Sequence, residues 1–130
     1  MKIGLISDTH GFLDPSFFTY AAASDEIWHA GDVGNTQILD QLNLPGKKVR
    51  AVYGNIDGKD VRLRLPAELF WEAEGMRIFM THIGGYPGRY APGIKNRLTN
   101  LKPDIFICGH SHILKVIFDK EYHLLHLNPG

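Results

Sequence analysis

Seven side chains able to hold a divalent cation fall in five short clusters along the 130-residue chain: Asp8 with His10, Asp32, Asn55, His82, and His110 with His112. Carboxylate oxygen, amide oxygen and imidazole nitrogen together suit a borderline cation such as zinc, manganese or iron. Singly, each residue has a plainer explanation. Asp8 or Asp32 could cap a turn, Asn55 is a common left-handed turn residue, and a lone strand-end histidine is more often structural than a ligand. What they share is position. Each cluster follows a short apolar run: Ile3 to Ile6, Ile27 to Ala30, Val49 to Tyr53, Met76 to Met80 and Ile105 to Cys108.

Apolar runs without alternation read as strands covered on both faces. The carboxyl ends of parallel strands line the crevice in which open α/β sheets bind ligands. If the backbone stays extended after Ile6, the spacing of two puts Asp8 and His10 on one side. Glycine before Asp32, Asn55 and His110 permits a sharp turn that swings each polar group toward the crevice. Asp57 reads either as an orienting partner for a ligand histidine or as a turn residue. His29, His123 and His126 lie in apolar strand patterns and read as structural or surface residues. Cys108, Trp28, Trp71 and the phenylalanines read as core.

The connecting elements alternate. Asp14-Pro15 predicts the start of a helix carrying Phe17, Phe18, Ala21 and Ala22, and Asn35 or Thr36 caps one carrying Ile38, Leu39 and Leu42, closed by Pro45-Gly46. Residues 58–65 read as loop and short helix. Ala67 to Ala73 and Met76 to Met80 form a hairpin around Glu74-Gly75. Residues 84–89 are rich in Gly and Pro and read as an irregular loop. A helix with Ile94, Leu98 and Leu101 stops before Pro103, and Leu114 to Phe118 pairs antiparallel with Tyr122 to Leu127. The sum is a mixed α/β layered fold.

Composition narrows the class. At 44% hydrophobic and 22% charged, the chain reads as a single domain over residues 1–130. Fourteen basic and fourteen acidic residues give zero net charge, which disfavours binding of long nucleic acid. A single cysteine leaves no disulfide framework and points to a reducing, cytoplasmic setting. Neither a signal peptide nor a membrane span is legible.

As an ordered series, Asp8-Thr9-His10, Gly31-Asp32, Gly54-Asn55-Ile56-Asp57, Thr81-His82 and Gly109-His110-Ser111-His112 resembles the calcineurin-like metallophosphoesterase superfamily, and within it the small YfcE-type phosphodiesterases. The resemblance implies two mixed β-sheets packed as a sandwich and flanked by helices, in four layers. It implies two divalent ions, manganese first, with nickel, iron, zinc or magnesium as alternatives. Asp8, His10, Asp32 and His112 would hold one ion, and Asp32 would bridge to a second held by Asn55, His82 and His110. The implied reaction is hydrolysis of a small phosphodiester, with a metal-bound hydroxide as nucleophile.

Two departures accompany the resemblance. Many members carry a histidine directly after the motif asparagine that protonates the leaving group; here Ile56 stands there, so no general acid is identified. YfcE-type proteins also continue with further strands after an Asn-Pro-Gly like Asn128-Pro129-Gly130, so this chain is expected to lack its C-terminal strands, either as a natural short form or by truncation. An unpaired sheet edge would invite a homo-oligomer. In the glycine-rich loop after His82, Arg89 could reach a phosphate as a bidentate donor or simply be solvent-exposed, and Tyr86 could stack on a base. The rival reading is a non-catalytic protein-binding scaffold of the Vps29 type on the same fold.

Overall fold

The computed structural model describes residues 1–43 and 46–130. The expected helix stop at Pro45 lies outside them. Five elements build the first half: β1 (Ile3–Ile6), α1 (Ser16–Ala22), β2 (Glu26–His29), α2 (Thr36–Asn43) and β3 (Lys48–Ala51). They form a three-stranded sheet ordered β1-β2-β3, parallel throughout. After α3 (Lys59–Arg64) come β4 (Glu68–Ala73), β5 (Met76–Thr81), β6 (Gly85–Tyr86), β7 (Arg89–Tyr90), α4 (Ile94–Leu101), β8 (Ile105–Ile107), β9 (Lys115–Asp119) and β10 (Leu124–Asn128). The second sheet, ordered β4-β5-β8-β10-β9, is mixed, with parallel pairs at its centre and antiparallel pairs at both edges.

The apolar runs work because alternate residues enter different layers. In β2, Ile27 packs toward Phe17, Ala21, Ile38 and Leu42 of the helices, whereas Trp28 packs toward the other sheet. In β5, Ile78 and Met80 fill the space between the sheets while Phe79 turns outward to Ile94 and Leu98 of α4. The order is therefore helices, sheet, sheet, helix. Phe79 and Phe106 stack with centroids 5.3 Å apart and are fully buried, each contributing about 2–3 kcal/mol by leaving water.

Local chemistry sets the element ends. Asn35 caps α2 by accepting from the Ile38 amide at 3.1 Å. The Asp14 carboxylate accepts from the Ser16 amide, and that hydrogen bond lowers its pKa, although the helix itself begins one residue after Pro15. Glu74 and Gly75 both have positive φ, the geometry of a two-residue hairpin turn.

Several sequence expectations need correction. Residues 84–89 are not irregular throughout: Gly85–Tyr86 and Arg89–Tyr90 pair as a short antiparallel ribbon, because the turn residues Pro87 and Gly88 fold the segment back on itself. Phe17, Phe79 and Phe106 are core, but Phe12, Phe18, Phe70 and Phe118 are exposed. Phe70 and Phe118 lie on the outermost strands β4 and β9, and Phe12 lies in a loop. Trp71 is half-buried, packed edge-on against Trp28 at 4.8 Å. His123 sits in the turn before β10, exposed, rather than within a strand. β1 is an outer strand, and a groove lined by β1, α1 and Pro129 runs along its open side.

Candidate metal centre

All seven donors lie in loops that leave the carboxyl ends of β1, β2, β3, β5 and β8 or at those ends. Past the strands, the first two loops stay paired. Asp8, His10 and Gly11 donate backbone N–H groups to the carbonyls of Gly31, Asp32 and Val33 at 2.8, 3.0 and 2.8 Å. The backbone there is not extended, as the spacing argument assumed. Asp8, His10, Asp32, His110 and His112 have φ between 50° and 72°. Aspartate and histidine reach this left-handed region more readily than most residues, and held strain of this kind gathers at functional sites.

Of the glycines before the donors, Gly31 turns as expected, with φ 101°, and the other two act differently. Gly54 and Gly109 do not have positive φ. Their role is close approach: a Cβ at Gly54 would fall on the Asp32 carboxylate, and one at Gly109 would lie 2.7 Å from Asp8 Oδ2.

Three side chains form the floor, and the rest form the rim. Asp8, Asp32 and His82 are each about 3% exposed at the side chain, against 41% for His10 and 56% for His112. Each floor group uses one atom on the protein and leaves the other at the centre. Asp8 Oδ2 accepts from Ser7 Oγ at 2.7 Å and the His110 amide at 3.1 Å. Asp32 Oδ1 accepts from the Ile56 amide at 3.0 Å. His82 Nδ1 lies 2.8 Å from the Ala30 carbonyl. A carbonyl can only accept, so Nδ1 carries a proton, and in the neutral ring Nε2 presents a lone pair.

The remaining atoms converge. His82 Nε2 is 3.1 Å from Asp32 Oδ2 and 3.7 Å from Asp8 Oδ1. Both Asp8 Oδ1 and His82 Nε2 are buried without a hydrogen-bond partner. Lone pairs facing one another out of water repel, and burying them unsatisfied costs about 1–3 kcal/mol each. A cation is what such a set accepts. His10 Nε2 lies 3.4 Å from Asp32 Oδ2, and His112 Nε2 lies 3.2 Å from Asp8 Oδ1. The donors fall into two groups, Asp8 with His10 and His112, and Asp32 with His82 and His110, the ligand atoms within each lying no more than 4.8 Å apart. Asn55 Oδ1 joins the second at 3.0 Å from His110 Nδ1.

Asp57 does not orient a histidine. Its buried carboxylate accepts from the amides of Val33, Gly34 and Gly54 at 3.0, 2.8 and 2.8 Å, which ties the Asp32 loop to the Asn55 loop. Arg89 is exposed on β7, and its side chain makes no hydrogen bond or ion pair among the described residues. The Tyr86 ring lies against Lys115, whose Nζ is 4.8 Å from its centroid.

Two supports escape the sequence. His29, fully buried in β2, accepts from the Gly31 amide at Nδ1 (3.1 Å). Its Nε2–H then donates to Thr9 Oγ1 at 3.0 Å, and that hydroxyl donates to the Val33 carbonyl at 2.9 Å. Desolvation lowers its pKa to about 4, so the imidazole is neutral. Asn128 donates its amide to the Gly109 carbonyl and to Ser111 Oγ, both at 3.0 Å, holding the loop that bears His110 and His112. Neither pair carries a local signal, since its members lie 17 to 20 residues apart.

Comparison with known families and structures shows what the chain is similar to. The description "calcineurin-like phosphoesterase superfamily domain" matches residues 1–130. A protein of Methanocaldococcus jannaschii described as a probable metallophosphoesterase is 36% identical over all of this chain and 67% of its own length. The YfcE phosphoesterase of E. coli is similar in structure, with TM-score 0.72, 24% identity, and coverage of 100% of this chain and 79% of that one. So is Vps29 of Entamoeba histolytica, solved in complex with zinc, with TM-score 0.79, 20% identity, and coverage of 100% and 74%. No helix among the described residues is long and apolar enough to cross a membrane.

Proposed function

Since the chain belongs to the calcineurin-like phosphoesterase superfamily, we propose that it is a phosphodiesterase dependent on two divalent cations and acting on small phosphodiesters. The observation that carries this reading is the meeting of Asp8 Oδ1 and His82 Nε2, both buried without a hydrogen-bond partner, with Asp32 Oδ2 3.1 Å from that nitrogen. Asp8, His10, Asp32 and His112 would hold one cation. Asn55, His82 and His110 would hold the other, with Asp32 shared. Manganese is the first choice for this mixed oxygen and nitrogen set, with nickel, iron, zinc or magnesium as alternatives.

Once bound, two such ions outweigh the two carboxylates by about two positive charges, attract a phosphoryl anion and acidify water toward neutrality. The chain's own groups do the positioning. The Ala30 carbonyl keeps the His82 lone pair aimed at the centre. The Ile56 amide fixes which Asp32 oxygen is free. His10, His110 and His112 form the exposed rim through which the ester approaches. Position 56 supplies no proton, so leaving groups of low basicity are turned over fastest.

Metal-stripped protein given manganese, nickel or magnesium and assayed with nitrophenyl phosphate mono- and diesters tests the reading. The expected result is metal-dependent cleavage with diesters preferred. A folded, metal-loaded protein inert toward every ester would instead favour the non-catalytic scaffold reading.

A further inference from the structure

Four of the five loops that carry the donors also carry a large apolar residue one or two positions beyond the last donor, and each is exposed. They are Phe12 after His10 (69% exposed), Ile56 after Asn55 (48%), Ile83 after His82 (44%) and Ile113 after His112 (57%). Leu114 follows, at 69%. Only the Asp32 loop differs, its Val33 being buried in the core.

The loops that carry these residues are tied to one another, the His82 loop by the Gly109 amide on the His82 carbonyl at 2.9 Å. The loops are joined by the Asp8 contact to the His110 amide at 3.1 Å, the His110 contact to Asn55 at 3.0 Å and the Ile56 amide contact to Asp32 at 3.0 Å. Successive Cα atoms lie about 3.8 Å apart. Ile56, Ile83 and Ile113 therefore each leave the backbone one step from a donor. Surface loops are ordinarily polar, and apolar side chains gathered about a site mark a binding surface.

We propose that this collar recognises an apolar ester group, so that the substrate is a phosphodiester bearing an aryl or comparably bulky apolar substituent beside the phosphate held at the centre. The inference rests on the phosphodiesterase reading and names its substrate class. A diester carries one negative charge and two substituents, so one substituent can lie on the collar while the other departs. Water gives up a proton to solvent as its oxygen bonds to phosphorus, the phosphorus–oxygen bond to the departing group breaks, and that oxygen leaves with the electron pair and takes a proton from solvent.

A series of 4-nitrophenyl phosphodiesters with methyl, butyl or phenyl as the second group keeps the leaving group constant. With manganese-loaded protein, kcat/KM should rise about tenfold from methyl to butyl or phenyl. Ile83→Asn and Ile113→Asn, at exposed positions that do not endanger folding, should flatten that rise. Independently of turnover, isoleucine methyl NMR signals of Ile56, Ile83 and Ile113 in magnesium-loaded protein should move with diphenyl phosphate and not with dimethyl phosphate. A flat series from an active enzyme, as expected of a collar made for a protein surface, overturns the substrate class and leaves the phosphodiesterase reading standing. Absence of hydrolysis with every ester overturns that reading, and the collar's substrate with it.

Discussion

The two sheets contribute to one centre in different chemical currencies. The parallel sheet supplies both carboxylates, the amide and one imidazole, from Asp8, His10, Asp32 and Asn55, whereas the mixed sheet supplies three imidazoles, from His82, His110 and His112. Their supports differ as well. Loops of the first sheet are locked to each other, by backbone pairing beyond β1 and β2, by the three amides that Asp57 collects and by the relay from His29 through Thr9. Those of the second are pinned more lightly, by the Gly109 amide on the His82 carbonyl and by Asn128. Negative charge is concentrated where the backbone is most constrained, so the carboxylates stay together although they repel. The mixed sheet, which supplies imidazoles alone, has no pair of carboxylates to hold together.

The largest test of this contrast is Asp32→Asn. Oδ2 of Asp32 lies close to His10 on one side and His82 on the other, so the variant should lose both cations and at least about a thousandfold in hydrolysis. Metal content by mass spectrometry checks it. Retention of one full equivalent would mean that the carboxylate serves a single group.

Acidification probes the His29 support. Its pKa in the folded protein is about 4, against an ordinary value of 6.5, so the unfolded chain binds the extra proton first as pH falls. The stabilisation is complete above pH 6.5, declines between 6.5 and 4 and is gone below that, a change of about 3 kcal/mol. Denaturant unfolding of metal-free protein at pH 7, 5.5 and 4.5 should follow that decline, and a His29→Gln variant should show a shallower one. Equal slopes would place the buried imidazole outside the acid response.

The smallest effect separates shape from hydrogen bonding. Thr9→Val keeps the volume but leaves the His29 Nε2–H without an acceptor, and should cost about 1–2 kcal/mol and weaken metal binding measurably by calorimetry. Thr9→Ser should restore both. If valine and serine behave alike, the relay does not hold the first two loops in register.

Much of this was legible beforehand. Unalternating runs such as Ile27 to Ala30, buried throughout, read as covered strands, and donor residues recurring after such runs pointed to the candidate centre without coordinates. The core was less legible among the phenylalanines: Phe70 and Phe118 are apolar enough for any interior, but their place on outermost strands depends on the strand order. The ribbon at residues 85–90 was missed because glycine and proline mark both its turn and ordinary loops.

The sequence alone determined which seven side chains could meet, since apolar runs and donor spacing are local properties. The tertiary structure alone decided how they meet. Asp8 and the His110 amide are 102 residues apart, and no local pattern says which Asp8 oxygen that amide will occupy. The Ala30 carbonyl assigns the His82 tautomer, and left-handed backbone at Asp8 and His10 replaces the extended chain that their spacing suggested. Hydrogen-bond partners are set by packing across strands, and it is the partner taken on one side of each group that leaves the other side free for a cation.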